Sequence, residues 1–162
     1  MSIKPIAVPR RLLLARVWGF TLAVTACTQS AITSATPPPI APGAARIWVY
    51  RDFLPSESLN ATDVMINGSQ AGQAPASGGA FYRDVPPGHY LVAARSWGTD
   101  VNQTANFNLT AGEEAYVKIE SLRAWSSFGD KTAIERDTFY ARRVPPQLAR
   151  AELAHMPINP GS

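Results

Sequence analysis

Between Arg46 and Glu120 apolar residues recur at every second position in short runs, and turn residues break the runs every eight to twelve residues. "RIWVYR" (46–51) predicts a first strand. "TDVMING" sets Thr62, Val64 and Ile66 against Asp63 and Met65, and Asn67-Gly68 predicts a tight hairpin turn. "AFYRDV" runs into "PPG" at 86–88, where two prolines and a glycine force the chain out of a ladder. "HYLVAARSW" (89–97) has the length of a central strand. "TANFNL" places Ala105, Phe107 and Leu109 on one face, with Asn106 and Asn108 on the other. After the turn "TAGEE", "AYVKIES" sets Ala115, Val117 and Ile119 against Tyr116, Lys118 and Glu120. Six or seven short strands, each with one apolar face and none with helical periodicity, predict an all-β fold. The expected architecture is an antiparallel β-sandwich of about seven strands.

The last part of the chain changes pattern. "DTFYARRV" (137–144) predicts a further strand. "PPQLARAELAHM" predicts a short helix entered through Pro146, with Leu148, Ala149, Leu153 and Met156 on one side and a sheet edge as its expected resting place.

The first 26 residues follow a different rule. Lys4, Arg10 and Arg11 precede apolar residues broken by Arg16, then the uninterrupted stretch Val17 to Ala26 ends in small residues. This is the pattern of an export signal. The polar run "TQSAITSATPPP" follows at once, so the apolar stretch falls short of the ~20 residues of a membrane span. Cys27 is the only cysteine, and "VTAC" resembles the bacterial lipobox, in which the cysteine receives diacylglycerol and becomes the first mature residue. An ordinary secretory signal also fits Val24 and Ala26. The lone thiol decides between them: unpaired, it would be reactive in an oxidising compartment, whereas acylation removes it. Cleavage is therefore expected between Ala26 and Cys27, with lipid on Cys27. The usual inner-membrane retention residue is Asp after the cysteine; Thr28 stands there instead. In a Gram-negative host this implies the periplasmic face of the outer membrane. The organisation expected is a signal over 1–26, a lipidated cysteine and Pro/Ser/Thr-rich tether over 27–45, the sandwich over 46–122 and an extension over 123–162. Extended at ~3.1 Å per residue, the tether reaches on the order of 50 Å.

Charge then reads differently. Four of the 15 basic side chains (Lys4, Arg10, Arg11, Arg16) and none of the 12 acidic ones precede Cys27, leaving 11 basic against 12 acidic afterwards. The high pI of about 9.3 belongs to the leader, and no basic run remains for nucleic acid.

"ARIWVYR", "VMINGSQAG", "DVPPGHYLV" and "TAGEEAYVKI", with the lipobox, resemble an uncharacterised family of bacterial lipoproteins with a prealbumin-like (transthyretin-like) β-sandwich, a domain of unknown function. The resemblance implies fold and location and is silent on chemistry.

Residues for chemistry are sparse. After Cys27 only His89 and His155 are histidines, and "GSQAG" at 68–72 has glutamine where a nucleophile elbow needs serine. Glu113 and Glu114 point to opposite faces of a strand. Gly78-Gly79 lacks the lysine of a phosphate loop. No metal-ligand spacing occurs, so no catalytic residue, metal or cofactor beyond the lipid is expected. The four N-x-[ST] sequences carry no meaning behind a lipobox. Aromatic residues are the one surplus. Trp48 and Tyr50 share one face of the first strand, and Trp97, Tyr116, Trp125 and Phe128 are candidates for the same outer set. Exposed, they form a face for a sugar or a protein partner; covered by the tail, they form a second small core. Two functions are thereby expected: a lipid-anchored, non-enzymatic envelope module for protein interaction or envelope organisation, or a carbohydrate-binding envelope lipoprotein using that aromatic face.

Overall fold

Alternating runs of β-branched and aromatic residues pair into sheets when each can bury one face against another sheet. A computed structural model describes residues 37–122 and 137–159; the leader, Cys27, Trp125 and Phe128 lie outside the described residues. Eight strands form: β1 (Ala45–Arg51), β2 (Thr62–Ile66), β3 (Ser69–Ala74), β4 (Gly79–Val85), β5 (Gly88–Ala94), β6 (Thr104–Leu109), β7 (Glu114–Ser121) and β8 (Phe139–Val144). A helix, α1 (Pro146–Leu153), follows. The strands make two four-stranded sheets in the orders β4-β1-β7-β8 and β3-β2-β5-β6, an all-β sandwich.

Two details of strand arrangement depart from the alternation pattern. β1 and β7 pair in parallel, with Trp48 opposite Tyr116, because both strands are entered from the same end of the sandwich. Apolar alternation carries no information on direction, so a purely antiparallel sheet was the wrong expectation for this pair. β5 is central, between β2 and β6, but it stops at Ala94; Arg95 N keeps one bond to Asp63 O of β2 at 2.8 Å, and Ser96–Trp97 turn away to the loop end. The hairpin at Asn67-Gly68 is as expected: both residues have positive φ (50° and 79°), which Asn and Gly tolerate best. Asn67 also splints the neighbouring strand, its Oδ1 accepting from Leu91 N at 2.8 Å.

The main core lies between the sheets and includes Ile47, Val49, Val64, Val92, Phe107, Val117, Ile119 and Phe139. A second cluster of Trp48, Tyr50, Ala80, Tyr116, Ala149 and Leu153 lies on the outer face of the first sheet, beneath α1. β1 is consequently buried at every position. The helix does not cover an edge as expected, and Leu148 points out at 54 % exposure. Its buried residues are Ala149 and Leu153, a narrow i, i+4 stripe that matches the aromatic strip of β1 and β7. The edge is covered by the next residues: Ala80 N donates to Pro157 O at 2.9 Å and Asn159 N to Ala80 O at 2.8 Å, so 157–159 run along β4. This blunts an edge that would otherwise template pairing.

Topology sorts the connections into two ends. The chain enters β1 at the end that also holds the 67–68, 86–87 and 110–113 turns. The longer connections 52–61, 75–78 and 95–103, and the start of β8, gather at the opposite end.

Candidate functional site

The aromatic face expected from sequence is covered. Trp48, Tyr50 and Tyr116 are 5, 1 and 2 % exposed, so they cannot stack on a glycan or anchor a protein partner. The physical reason is the tail: α1 lays Ala149 and Leu153 on them, which buries more apolar area than leaving both faces wet. The ring planes of Trp48 and Tyr116 are nearly parallel, 3° apart at 6.4 Å between centroids. Their polar atoms are satisfied in the same layer, as buried Trp and Tyr require. Trp48 Nε1 donates to Glu114 at 3.0 Å and Tyr116 OH to the same carboxylate at 2.7 Å, while Arg150 of the helix donates to both Glu114 and Tyr116 OH at 2.9 Å. Glu152 accepts from Tyr50 OH at 2.6 Å and from Lys118 at 2.9 Å.

These contacts are expected to make helix docking acid-sensitive. Burial pushes the Glu114 carboxyl up, but hydrogen bonds from Tyr116, Trp48 and Arg150 outweigh it and leave it below the ordinary glutamate range. Glu152 is likewise pushed up by burial and brought below its ordinary value by Tyr50 and Lys118. A carboxylate with a lowered folded-state pKa contributes stability that is present above its unfolded value, about 4.3, and is lost as pH falls through the folded value. Urea midpoints measured from about pH 6 down to about pH 3 should therefore decline, and the Glu114→Gln/Glu152→Gln pair should flatten that decline.

At the loop end a different layer is built. Arg51, the last residue of β1, is 1 % exposed, donates to Asn60 O at 2.7 Å and to Ser58 O, and lies over the Phe139 ring at 5.1 Å. Ser58 N donates to Ser121 Oγ at 2.7 Å, and Ser121 N donates to Glu57 at 3.1 Å, so the 52–61 connection is bolted to the end of β7. Asp137 accepts from Ser58 Oγ through one oxygen and from Asn60 Nδ2 at 2.8 Å through the other. Sequence reasoning missed this network; the only signal was a second arginine at the end of a strand that is otherwise apolar after Arg46.

Trp97 belongs to this end and not to the Trp48 cluster. It is 84 % exposed and lines a cleft of about 370 Å³ together with Asn60, Asp63, Gln73, Arg95 and Asp137. Among the described residues, Trp97 is one of five large apolar side chains exposed at this end, with Phe53, Leu59, Val101 and Leu122. The set expected from sequence thus divides: Trp48, Tyr50 and Tyr116 lie together under α1, Trp97 lies apart from them at the loop end, and Trp125 lies outside the described residues.

His89 and His155 are both exposed and at opposite ends of the sandwich. Glu113 bonds Thr110, whereas Glu114 faces the aromatic layer. Among the described residues no group of three His, Cys, Asp or Glu side chains is placed to hold a metal ion. No helix among them is long and apolar enough to cross a membrane. No protein-family model and no curated protein matches the chain.

Proposed function

We propose that the protein is a lipid-anchored, non-enzymatic cell-envelope module of the prealbumin-like lipoprotein kind, held by acyl chains on Cys27. Its sandwich meets an envelope partner through the loop end. The observation that carries this reading is the placement of Phe53, Leu59, Val101 and Leu122 on the end opposite the entry of the chain into β1. A tether joined at one end leaves the other free to face away from the bilayer. Scattered exposed apolar residues are ordinary on a surface, but four at the one end opposite the tether favour contact with a partner. The sequence up to Ala26–Cys27 supports the anchor, and Thr28 supports the outer membrane as its site. Each buried CH₂ contributes about 0.8 kcal/mol, so two or three acyl chains hold where one does not.

Cys27→Ala is expected to move the protein from the membrane pellet to the soluble fraction. A Cys27→Ala protein that stays in the pellet after a salt wash refutes the anchor. In-cell crosslinking of the tagged protein, with and without Cys27→Ala, identifies the partner; a specific envelope protein recovered only with the anchored form is the expected result.

A further inference from the structure

We propose that the cleft beside Trp97 is a binding site for a neutral saccharide. The inference goes beyond the anchoring function and does not depend on it, since the cleft is formed by the sandwich alone.

The first support is the contrast between a fixed backbone and a free ring. Ser96 Oγ donates to Phe139 O at 3.1 Å and accepts from Phe139 N at 2.8 Å. Trp97 N donates to Asp137 O at 3.2 Å, and Gln103 Nε2 donates to Gly98 O at 3.1 Å. A Cβ on Gly98 would stand 2.4 Å from Thr138 Oγ1, so this segment lies directly against the start of β8. The main chain under the indole is therefore stapled on both sides, while the indole itself is left in water. A backbone already fixed before binding need not be ordered when a ligand arrives, so only the rotation of the indole itself is lost.

The second support is the chemistry of the walls. Asp137 is oriented through Ser58 and Asn60, one donor to each oxygen. Asp63 is held by Arg95 at 3.3 Å and by Gln70 at 3.2 Å. A carboxylate oxygen accepts two hydrogen bonds, so each group is fixed in place with acceptor capacity left over. A ring whose C–H face stacks on an indole while its rim hydroxyls meet carboxylate, amide and guanidinium groups is a sugar. A concave site of about 370 Å³ lies at the small end of small-ligand sites, whereas a protein patch of standard size covers about 800 Å² per partner. Two carboxylates against one guanidinium disfavour an acidic sugar.

The test is isothermal titration of the full chain with maltose, cellobiose and chitobiose, and with glucuronate as the acidic control. At least one neutral disaccharide should bind saturably. Trp97→Ala should weaken that binding about tenfold or more without moving the unfolding midpoint, and Trp97→Phe should retain part of it. No binding by any neutral sugar, binding of glucuronate alone, or binding untouched by Trp97→Ala overturns the proposal. Capture of a protein through Trp97 with no sugar bound likewise overturns it and assigns the cleft to a protein. Membrane fractionation of Cys27→Ala reads the anchor independently, so the two ideas fail separately.

Discussion

Arg51→Ala is expected to cost about 3–5 kcal/mol of folding stability, since each of two buried carbonyls left without its donor costs about 1–3 kcal/mol. That is a large part of the 5–15 kcal/mol that holds a domain together. Three losses combine. The carbonyls of Ser58 and Asn60 lose the donor that satisfies them, the Phe139 ring loses its cover, and buried Glu57 loses the positive charge facing it. Burial pushes the guanidinium pKa down, with Glu57 and Asp137 opposing, yet arginine stays charged, so it cannot escape by deprotonation. Its Nε finds no partner among the described residues, so the site is not ideal even for arginine. Arg51→Lys should recover only part of the loss, because one ammonium cannot reproduce the planar fork across two carbonyls. Urea unfolding followed by circular dichroism measures both variants. A fall of less than about 1 kcal/mol for Arg51→Ala would show that water fills the gap.

Leu153→Asp is expected to undock α1 while leaving the sandwich folded. Leucine burial contributes roughly 1.5–3 kcal/mol, and a carboxylate against Trp48, Tyr50 and Tyr116 adds a desolvation penalty. The helix has only eight residues and no side-chain N-cap, so little besides docking holds it. Together these effects remove about 3 kcal/mol or more of docking. Limited proteolysis should then cut between Pro146 and Leu153 ahead of the strands, and tryptophan emission should shift to the red as Trp48 meets water. The result to watch against this is global unfolding at the same denaturant midpoint as helix cleavage. That would mean the aromatic layer belongs to the main cooperative unit and is not a separable cover.

How far the chain could be read varies from element to element. β6 shows the easy case: Ala105, Phe107 and Leu109 are buried and Thr104, Asn106 and Asn108 exposed, in the alternation the sequence displays. β1 shows the hard case, since Trp48 and Tyr50 look the same in sequence whether they meet water, a ligand or a helix almost a hundred residues later in the chain. Trp97 reads as one more member of that face because composition counts tryptophans without placing them. Its separation follows from β5 ending at Ala94, which hands Ser96–Trp97 to the loop end. The Arg51 network was unreadable for a related reason: Glu57, Ser58, Ser121 and Asp137 meet only after β1, β7 and the start of β8 have been aligned.

The all-β class, the hairpin at Asn67-Gly68, the turn at Pro86–Gly88 and the helix begun by Pro146 follow from the order of residues along the chain, because period and local φ preferences act within a few residues. The sequence also supplied the expectation of an anchor at Cys27, which rests on local order along the chain. The parallel pairing of β1 and β7, the tail over one aromatic face and the polar cleft beside Trp97 at the far end exist only in the folded molecule. Each of these depends on which distant segments meet. That is settled by the total area buried and the hydrogen bonds satisfied across the whole molecule, and no window of sequence contains it.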